Sequence, residues 1–180
     1  MLMKKTKASF TCQSIYDIDP QFFVSLGVKA VIADLDQTLD TAFTDTPSPR
    51  VFALRDELAQ LHIQLIVISN NRDKRVSPYV KKLQVPYLSF ALKFFKGKVL
   101  KFLKKENLKV EDCVFVGDQL YTDGIYTSKI HGRLILTEPL SPKDNIPTKM
   151  VRGLDKHFRE KYRRQGRLGL PCPLRIGKGE

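Results

Sequence analysis

Cysteine is scarce and long apolar runs are absent from this sequence, and each absence excludes a class of protein. The three cysteines, Cys12, Cys113 and Cys172, are scattered and odd in number, which favours a reducing compartment over a disulfide framework. They form no CxxC pair and no Cys/His cluster, so a zinc site is not expected. No apolar run approaches the roughly 18 residues that span a bilayer. The basic start has no continuous apolar stretch after it, and we expect no signal peptide.

Two well-known phosphate-handling motifs are also missing. A cysteine phosphatase needs an arginine six residues after its nucleophile, but the residues at that spacing are Ile18, Gln119 and Lys178. A Walker A loop is absent as well. The three histidines stand alone in the sequence and suggest no chemistry.

Acidic residues are few relative to basic ones. The 180 residues include 31 Lys and Arg against 19 Asp and Glu, a formal net charge of +12. This excess favours anionic partners such as phosphorylated substrates, nucleic acid or an anionic membrane surface, without choosing among them. The chain is long enough, and at 42% hydrophobic apolar enough, for one domain with a substantial core.

The residues from Val31 to Leu39 carry the strongest pattern in the chain. Three small or β-branched apolar residues lead directly into Asp34 and Asp36, with Thr38 following. This predicts a buried strand that delivers two carboxylates to its C-terminal edge, where open α/β sheets place their chemistry. Because two neighbouring carboxylates repel each other, the pair implies either a divalent cation between them or a shifted pKa for one of the two. The alternative is an acidic turn that caps the next helix.

Strand-like and helix-like segments alternate along the rest of the chain. Five apolar segments read as strands: the one entering Asp34, then 62–68, 86–90, 113–116 and 133–137. Between them, apolar residues recur at helical spacing, as at Val51, Leu54, Leu58 and Leu61. This alternation predicts an α/β fold with a central parallel sheet of about five strands, covered by helices on both faces.

Polar residues follow four of these strands. Together they suit phosphoryl transfer, in which one carboxylate attacks phosphorus, a second transfers protons, and cations neutralise the anions. Ser69 also has a simpler interpretation as a helix cap, and Lys93 as a solvated surface lysine. The candidate residues at the strand ends are Asp34, Asp36, Thr38, Ser69, Asn70, Lys93, Asp118 and Asp123.

The segment Asp34-Leu35-Asp36-Gln37-Thr38-Leu39 resembles the first motif of the haloacid dehalogenase (HAD) superfamily of phosphatases. Ser69, Lys93 and the segment from Gly117 to Asp123 match the second, third and fourth motifs in order. The segments 14–19, 69–71 and 117–123 resemble the YqeG-type HAD-IIIA phosphatases more closely. The resemblance covers about residues 14–155 and implies a Rossmannoid three-layer sandwich.

The resemblance also implies a role for each motif residue. It makes Asp34 the nucleophile and a metal ligand, and Asp36 the general acid/base, with its backbone carbonyl on Mg²⁺. Asp118 would be a further Mg²⁺ ligand, and Asp123 would support the metal's water shell or Lys93. Phosphate binding falls to Ser69, Asn70 and Lys93, with Thr38 as a supporting residue.

The sequence departs from the family pattern at a few positions. Gln37 stands where Asn is frequent, Asp40 stands where an apolar residue is usual, and no proline follows Lys93. We expect Asp40 to alter the electrostatics near Asp36. Only 34 residues separate Asp34 from Ser69 and 23 separate Ser69 from Lys93, so no cap domain fits. An uncapped site suits a substrate presented on a larger surface.

The C-terminal part of the chain is basic. Residues 149–180 hold ten Lys or Arg and three acids, a net +7. We therefore divide the chain into a phosphatase domain, 1–155, and a basic C-terminal tail, 156–180. The tail is either a solvated segment or an anchor for anionic lipid or RNA. Among relatives in this broad group are phosphatases acting on phosphatidylglycerophosphate, which makes that lipid the first substrate to test.

The leading hypothesis is a Mg²⁺-dependent phosphomonoester hydrolase that acts through an aspartyl-phosphate. It is expected to be cytoplasmic, with peripheral binding to the inner face of the membrane. One alternative is a receiver-like phosphoacceptor domain, although receivers lack a second aspartate two residues after the nucleophile. Another is a basic RNA- or ribosome-binding module with a vestigial site.

Overall fold

The computed structural model describes residues 7–42, 44–91, 96–142 and 146–175 of the chain. Its centre is a single parallel sheet of seven strands, in the order β4-β3-β2-β5-β6-β1-β7. The strands are β1 (Phe10–Cys12), β2 (Ala30–Ala33), β3 (Gln64–Ile68), β4 (Tyr87–Leu88), β5 (Cys113–Gly117), β6 (Arg133–Thr137) and β7 (Leu170–Pro171). The five predicted strands are β2 to β6, and β1 and β7 extend the sheet beside β6.

In the described part of the chain, six α-helices cover the sheet. Some begin with recognisable signals: Asp19 caps α1 through the Gln21 N–H, and Pro20 and Pro49 open α1 and α2. The helices are α1 (Pro20–Ser25), α2 (Pro49–Gln60), α3 (Asp73–Leu83), α4 (Lys96–Lys105), α5 (Ile125–Lys129) and α6 (Ile146–Arg164).

The two faces of the sheet bury separate hydrophobic clusters. Along β2 the side chains alternate, so Val31 and Ala33 belong to one cluster while Ala30 and Ile32 belong to the other. Helices α1, α2 and α3 supply the first cluster, and α4, α5 and α6 supply the second. This is the predicted three-layer α/β sandwich. The connection from β2 to β3 consists of a loop and α2, and no cap domain is seen in the described residues.

The C-terminal residues are part of the fold, unlike the separate tail predicted for 156–180. The predicted boundary at 155 falls inside α6, whose residues Asp155, Arg159 and Tyr162 are all buried. Farther on, β7 joins the sheet, and Cys172 donates its N–H to the Thr11 carbonyl at 2.8 Å. Among the positive charges that predicted a tail, Lys156, Lys161, Arg163 and Arg164 are exposed on α6, whereas Arg159 is buried. Residues 176–180 lie outside the described residues.

None of the described helices is both long and apolar enough to cross a membrane.

Candidate active site

The predicted site residues converge where β2, β3 and β5 end. Asp34 follows β2 directly, Ser69 follows β3, and Asp118 follows β5. Because these three strands are parallel neighbours in the sheet, their carboxyl ends lie side by side. Lys93, the predicted phosphate-binding lysine, lies outside the described residues.

Three carboxylates form a compact acidic cluster at this edge. One oxygen each from Asp34, Asp118 and Asp123 lies within 4.8 Å of the other two. Asp118 and Asp123 are buried, whereas Asp34 is half-buried. Close carboxylates repel one another unless a cation lies between them, and hard oxygen donors of this kind suit Mg²⁺. The donor set therefore fits the predicted metal.

The local backbone brings Asp123 into this cluster. Residues Leu120–Gly124 form a π-helical turn, and the Gln119 N–H donates to Asp123 Oδ2 at 3.1 Å. A side chain at Gly117 would be impossible without rearrangement, because a Cβ there would lie 2.3 Å from Asp123 Cγ. The glycine in the fourth motif therefore makes room for the carboxylate. The sequence predicted a supporting role for Asp123, and the structure places its carboxylate beside the two predicted ligands.

Asp118 is held through both its side chain and its backbone. Thr38 Oγ1 donates to Asp118 Oδ1 at 3.4 Å, a contact that fits the supporting role predicted for Thr38. On the other side, the Arg159 guanidinium donates to the Asp118 carbonyl. Asp118 is thus fixed between the loop that follows β2 and helix α6.

Arg159 is the centre of a buried polar network. Its Nη2 also donates to the Thr137 carbonyl at 2.7 Å, its Nε to Asp155 at 2.7 Å, and its Nη1 to Glu138 at 3.0 Å. Asp155 accepts a second bond from the Tyr121 N–H at 2.8 Å. Burial raises the pKa of Asp155, and the Arg159 charge opposes that shift.

Sequence analysis missed Arg159 because it counted this residue among the charges of a tail. The available signal was Asp155, an acid four residues before an arginine in an otherwise basic segment.

Asp36 stands apart from the three-carboxylate cluster and is held by a second polar group. Asn71 Nδ2 donates to Asp36 Oδ2, and Arg75 Nη2 donates to Asp36 Oδ1 at 2.9 Å. The same Arg75 nitrogen donates to the Thr44 carbonyl at 2.9 Å, so Arg75 links α3 to the loop after β2. The Asp36 carboxylate is therefore oriented by two side chains from the β3–α3 segment.

Neither Asn71 nor Arg75 was assigned a role from the sequence. Asn71 lies in the Ser69-Asn70-Asn71 segment that carried the family resemblance, and Arg75 lies in the first turn of α3. Both side chains reach Asp36, Asn71 from the turn before α3 and Arg75 from the first turn of that helix.

Ser69 is buried at the end of β3 and shapes the turn before α3. Its Oγ accepts the Asn71 N–H at 3.1 Å, whereas the N-cap of α3 is Arg72. Ser69 therefore stabilises the turn before α3 and does not cap the helix, which was the alternative prediction. The bond uses Ser69 Oγ as acceptor and leaves its O–H able to donate to a phosphate oxygen. Asn70 is exposed beside it.

Asp40, the unusual acid after the first motif, stabilises the loop that leads to α2. Its buried carboxylate accepts bonds from Ser48 N and Oγ at 3.0 and 2.8 Å, from Arg50 at 3.3 Å and from Tyr79 Oη at 2.6 Å. Burial raises the pKa of Tyr79, and the bond to Asp40 raises it further. The Asp40 charge is thus compensated by Arg50 and by three neutral donors, away from the acidic cluster.

Gln37, the other unusual residue, adopts a backbone φ of 69° and is buried. Its Oε1 accepts the Ser141 N–H at 2.9 Å, and its backbone carbonyl accepts the Leu140 N–H at 3.2 Å. The longer side chain at this position therefore fastens the segment after β6 to the first motif.

Comparisons with known proteins agree with these motifs. The chain is 28% identical over 156 residues, 87% of its length, to 91% of a Bacillus subtilis (strain 168) protein named "Probable phosphatase YqeG". No known family's sequence profile matches the chain.

Solved structures resemble the chain at lower sequence identity. An uncharacterized protein from Listeria monocytogenes serotype 4b has a TM-score of 0.50 at 12% identity, over 74% of this chain and 99% of that one. A cobalt-bound deoxy-D-mannose-octulosonate 8-phosphate phosphatase from Haemophilus influenzae has a TM-score of 0.49 at 16% identity, over 81% of this chain and 92% of that one. The Listeria likeness concerns the fold alone. The resemblance to YqeG-type phosphatases, predicted from the motifs, is confirmed by the Bacillus relative.

Proposed function

We propose that this chain hydrolyses phosphate monoesters in a Mg²⁺-dependent reaction through an aspartyl-phosphate on Asp34. The observation that carries the proposal is the division of four carboxylates into two groups. Asp34, Asp118 and Asp123 form the cluster that suits a cation, while Asp36 is separately oriented by Asn71 and Arg75. A nucleophile beside a metal and an independent proton carrier are the two parts that this chemistry needs.

In the first step, a carboxylate oxygen of Asp34 attacks phosphorus, and the bond to the leaving oxygen breaks as Asp36 protonates that oxygen. In the second step, Asp36 takes a proton from water, which attacks the same phosphorus and releases phosphate and free Asp34. The backbone-bonded Ser69 hydroxyl, Asn70 and Lys93 are proposed to bind the phosphoryl oxygens.

Asp34 and Asp118 are the proposed side-chain ligands of Mg²⁺, with the Asp36 carbonyl, and Asp123 lies close enough to take part. When bound, the cation neutralises negative charge on the phosphoryl group and on Asp34. Thr38 and Arg159 then matter because they fix Asp118 from two sides.

Replacing the two catalytic aspartates should have different effects. Asp34→Asn is expected to lower turnover of p-nitrophenyl phosphate at least about a thousandfold, because an amide does not attack phosphorus. Asp36→Asn should instead let phosphoenzyme form with this good leaving group and accumulate. Turnover and trapped phosphoenzyme are measured in both, with exposed Asp56→Asn as the matched control. Near-normal turnover in Asp34→Asn would refute the nucleophile assignment, and a receiver-like domain would show slow dephosphorylation already in the unmodified chain.

Activity should require Mg²⁺. Exhaustive EDTA treatment is expected to abolish turnover, added Mg²⁺ to restore it, and Ca²⁺ to compete, since its larger and looser coordination shell misplaces the nucleophile. Asp118→Asn should raise the Mg²⁺ concentration that gives half-maximal rate. Full activity after chelation would refute the metal requirement.

Arg75 is proposed as a positioning residue for Asp36. Arg75→Gln should lower kcat about tenfold or more with little change in KM, because the carboxylate loses its orientation while substrate contacts remain. Arg75→Lys should recover part of the rate through a single remaining donor. Exposed Arg72→Gln serves as control. A rise in KM alone would show instead that Arg75 binds substrate.

For the substrate, we propose an anionic phospholipid such as phosphatidylglycerophosphate, bound at the membrane surface. The support is the open, uncapped site together with exposed basic residues on α6, among them Lys161 and Arg164. Each Lys or Arg near an anionic membrane contributes about 1 kcal/mol, so a few are enough to concentrate the enzyme there.

Reversing charge on α6 should therefore lower activity selectively. The double variant Lys161→Glu/Arg164→Glu is expected to keep full activity on p-nitrophenyl phosphate and to lose activity on phosphatidylglycerophosphate in anionic vesicles. At high salt the difference in vesicle activity between the variant and the unmodified chain should shrink, because salt also screens the attraction of the unmodified chain to the membrane. Lys101→Glu/Lys105→Glu, on exposed positions of α4, is the matched control. Equal rates on vesicles for all three proteins would refute a membrane role for α6, and inhibition by RNA alone would point to nucleic acid.

A further inference from the structure

Two of the three cysteines meet on neighbouring strands, far from each other in sequence. In the parallel pairing of β1 and β7, Phe10 lies opposite Leu170 and Thr11 opposite Pro171. One step further places Cys12 opposite Cys172, and the Cys172 N–H to Thr11 carbonyl bond of 2.8 Å holds this register. Paired residues on parallel strands project to the same face, so the two side chains share one side of the sheet.

Gly169 permits this pairing. Its φ is 75°, and a Cβ there would lie 2.3 Å from the Ser9 carbonyl oxygen. The residue is therefore a glycine for two reasons, backbone conformation and the close approach of β7 to β1. This close approach brings Cys172 to Cys12.

The two thiols are close enough to shift each other's pKa. Cys12 Sγ donates to the Ser14 carbonyl oxygen at 3.3 Å. Interaction with Cys12 lowers the pKa of Cys172, whereas interaction with Cys172, together with burial, raises the pKa of Cys12. Of the pair, Cys172 is thus the thiol that ionises first.

Both cysteines line a cavity of about 520 Å³ between the C-terminal segment and β6. Two arginines, Arg159 and Arg163, and two acids, Asp17 and Glu138, line the same cavity. This mixture of charges suits a small zwitterionic molecule. Cys172 is only 5% exposed, and the cavity is the space that adjoins it.

We propose that Cys12 and Cys172 form a redox-active dithiol that a small disulfide of the glutathione type converts to an intramolecular disulfide. This modification site is separate from the acidic cluster and does not depend on the proposed phosphatase activity.

The exchange proceeds in two balanced steps. The Cys172 thiolate attacks one sulfur of the external disulfide, forming a mixed disulfide and releasing one thiolate. Cys12 then loses its proton to solvent and attacks the Cys172 sulfur, forming the internal bond and releasing the second thiolate. The two cysteines give up two electrons in total, and the external disulfide takes them up as two thiols.

The test uses the full chain, first reduced and then freed of reductant, with oxidised glutathione as the probe. Free thiols are expected to fall from three to one, and the intact mass to drop by two hydrogen atoms. Peptide mapping without reductant should identify a Cys12–Cys172 link. Trypsin cleavage after the exposed Arg163 or Arg164 should then release the C-terminal peptide only after reduction.

Single substitutions separate the roles of the three cysteines. Cys113→Ser should leave the reaction intact, because burial raises the pKa of Cys113 to about 12 and β5 keeps it apart from the pair. Cys12→Ser should stop at a glutathione adduct on Cys172, whereas Cys172→Ser should form no internal link. Circular dichroism checks that each variant is folded. A wild-type chain that keeps three thiols, stops at an adduct, or links through Cys113 would overturn the proposal.

Discussion

The buried guanidinium of Arg159 is the contact on which the site's geometry depends. An arginine in a low-dielectric interior is tolerated only when its donors are matched, and here four acceptors from three parts of the chain surround it: the Asp118 and Thr137 carbonyls, Asp155 and Glu138. Removing one member of such a buried pair typically costs about 3–5 kcal/mol, because the other charge is left uncompensated. The ends of β5 and β6 are therefore locked to α6, and the peptide of Asp118 is locked with them.

The remaining parts of the site are fixed by equally local constraints. Gly117 leaves the space that Asp123 occupies. Asp40 accepts hydrogen bonds from Ser48, Arg50 and Tyr79, and these bonds fix the loop after the first motif. The carboxylates that crowd together are thus held by bonds to their own oxygens, as from Thr38 to Asp118 and from the Gln119 N–H to Asp123, and by the Arg159 bond to the Asp118 carbonyl.

Sequence reasoning located the central strands and the aspartates because both follow strong local patterns. The apolar run before Asp34 and the run ending at Gly117 are each typical of a buried strand, and polar residues follow both. The strands β1 and β7 escaped notice because segments of three and two residues have no readable period, and because Pro171 argues against a strand except at a sheet edge, where β7 lies.

Arg75 and Arg159 escaped notice for a different reason. A cation's role is set by the partner it meets across the fold, and Asp36 lies 39 residues from Arg75 in sequence. Charge counting treats a buried arginine and a solvated one alike, which is why residues 156–180 were assigned to a tail. Whether an arginine is buried depends on how the chain packs, whereas its charge can be read directly from the sequence.

The position of β1 in the sheet has a consequence for how the chain is made. In the described part of the chain its neighbours are β6 and β7, and Phe10 pairs with Ile135 and Leu170. During synthesis from the N-terminus, β2, β3, β4 and β5 all emerge before either partner of β1 exists. Of the described strands, β1 is therefore the first to leave the ribosome and among the last to be paired. Its pairing requires contacts of very large sequence separation, which form slowly.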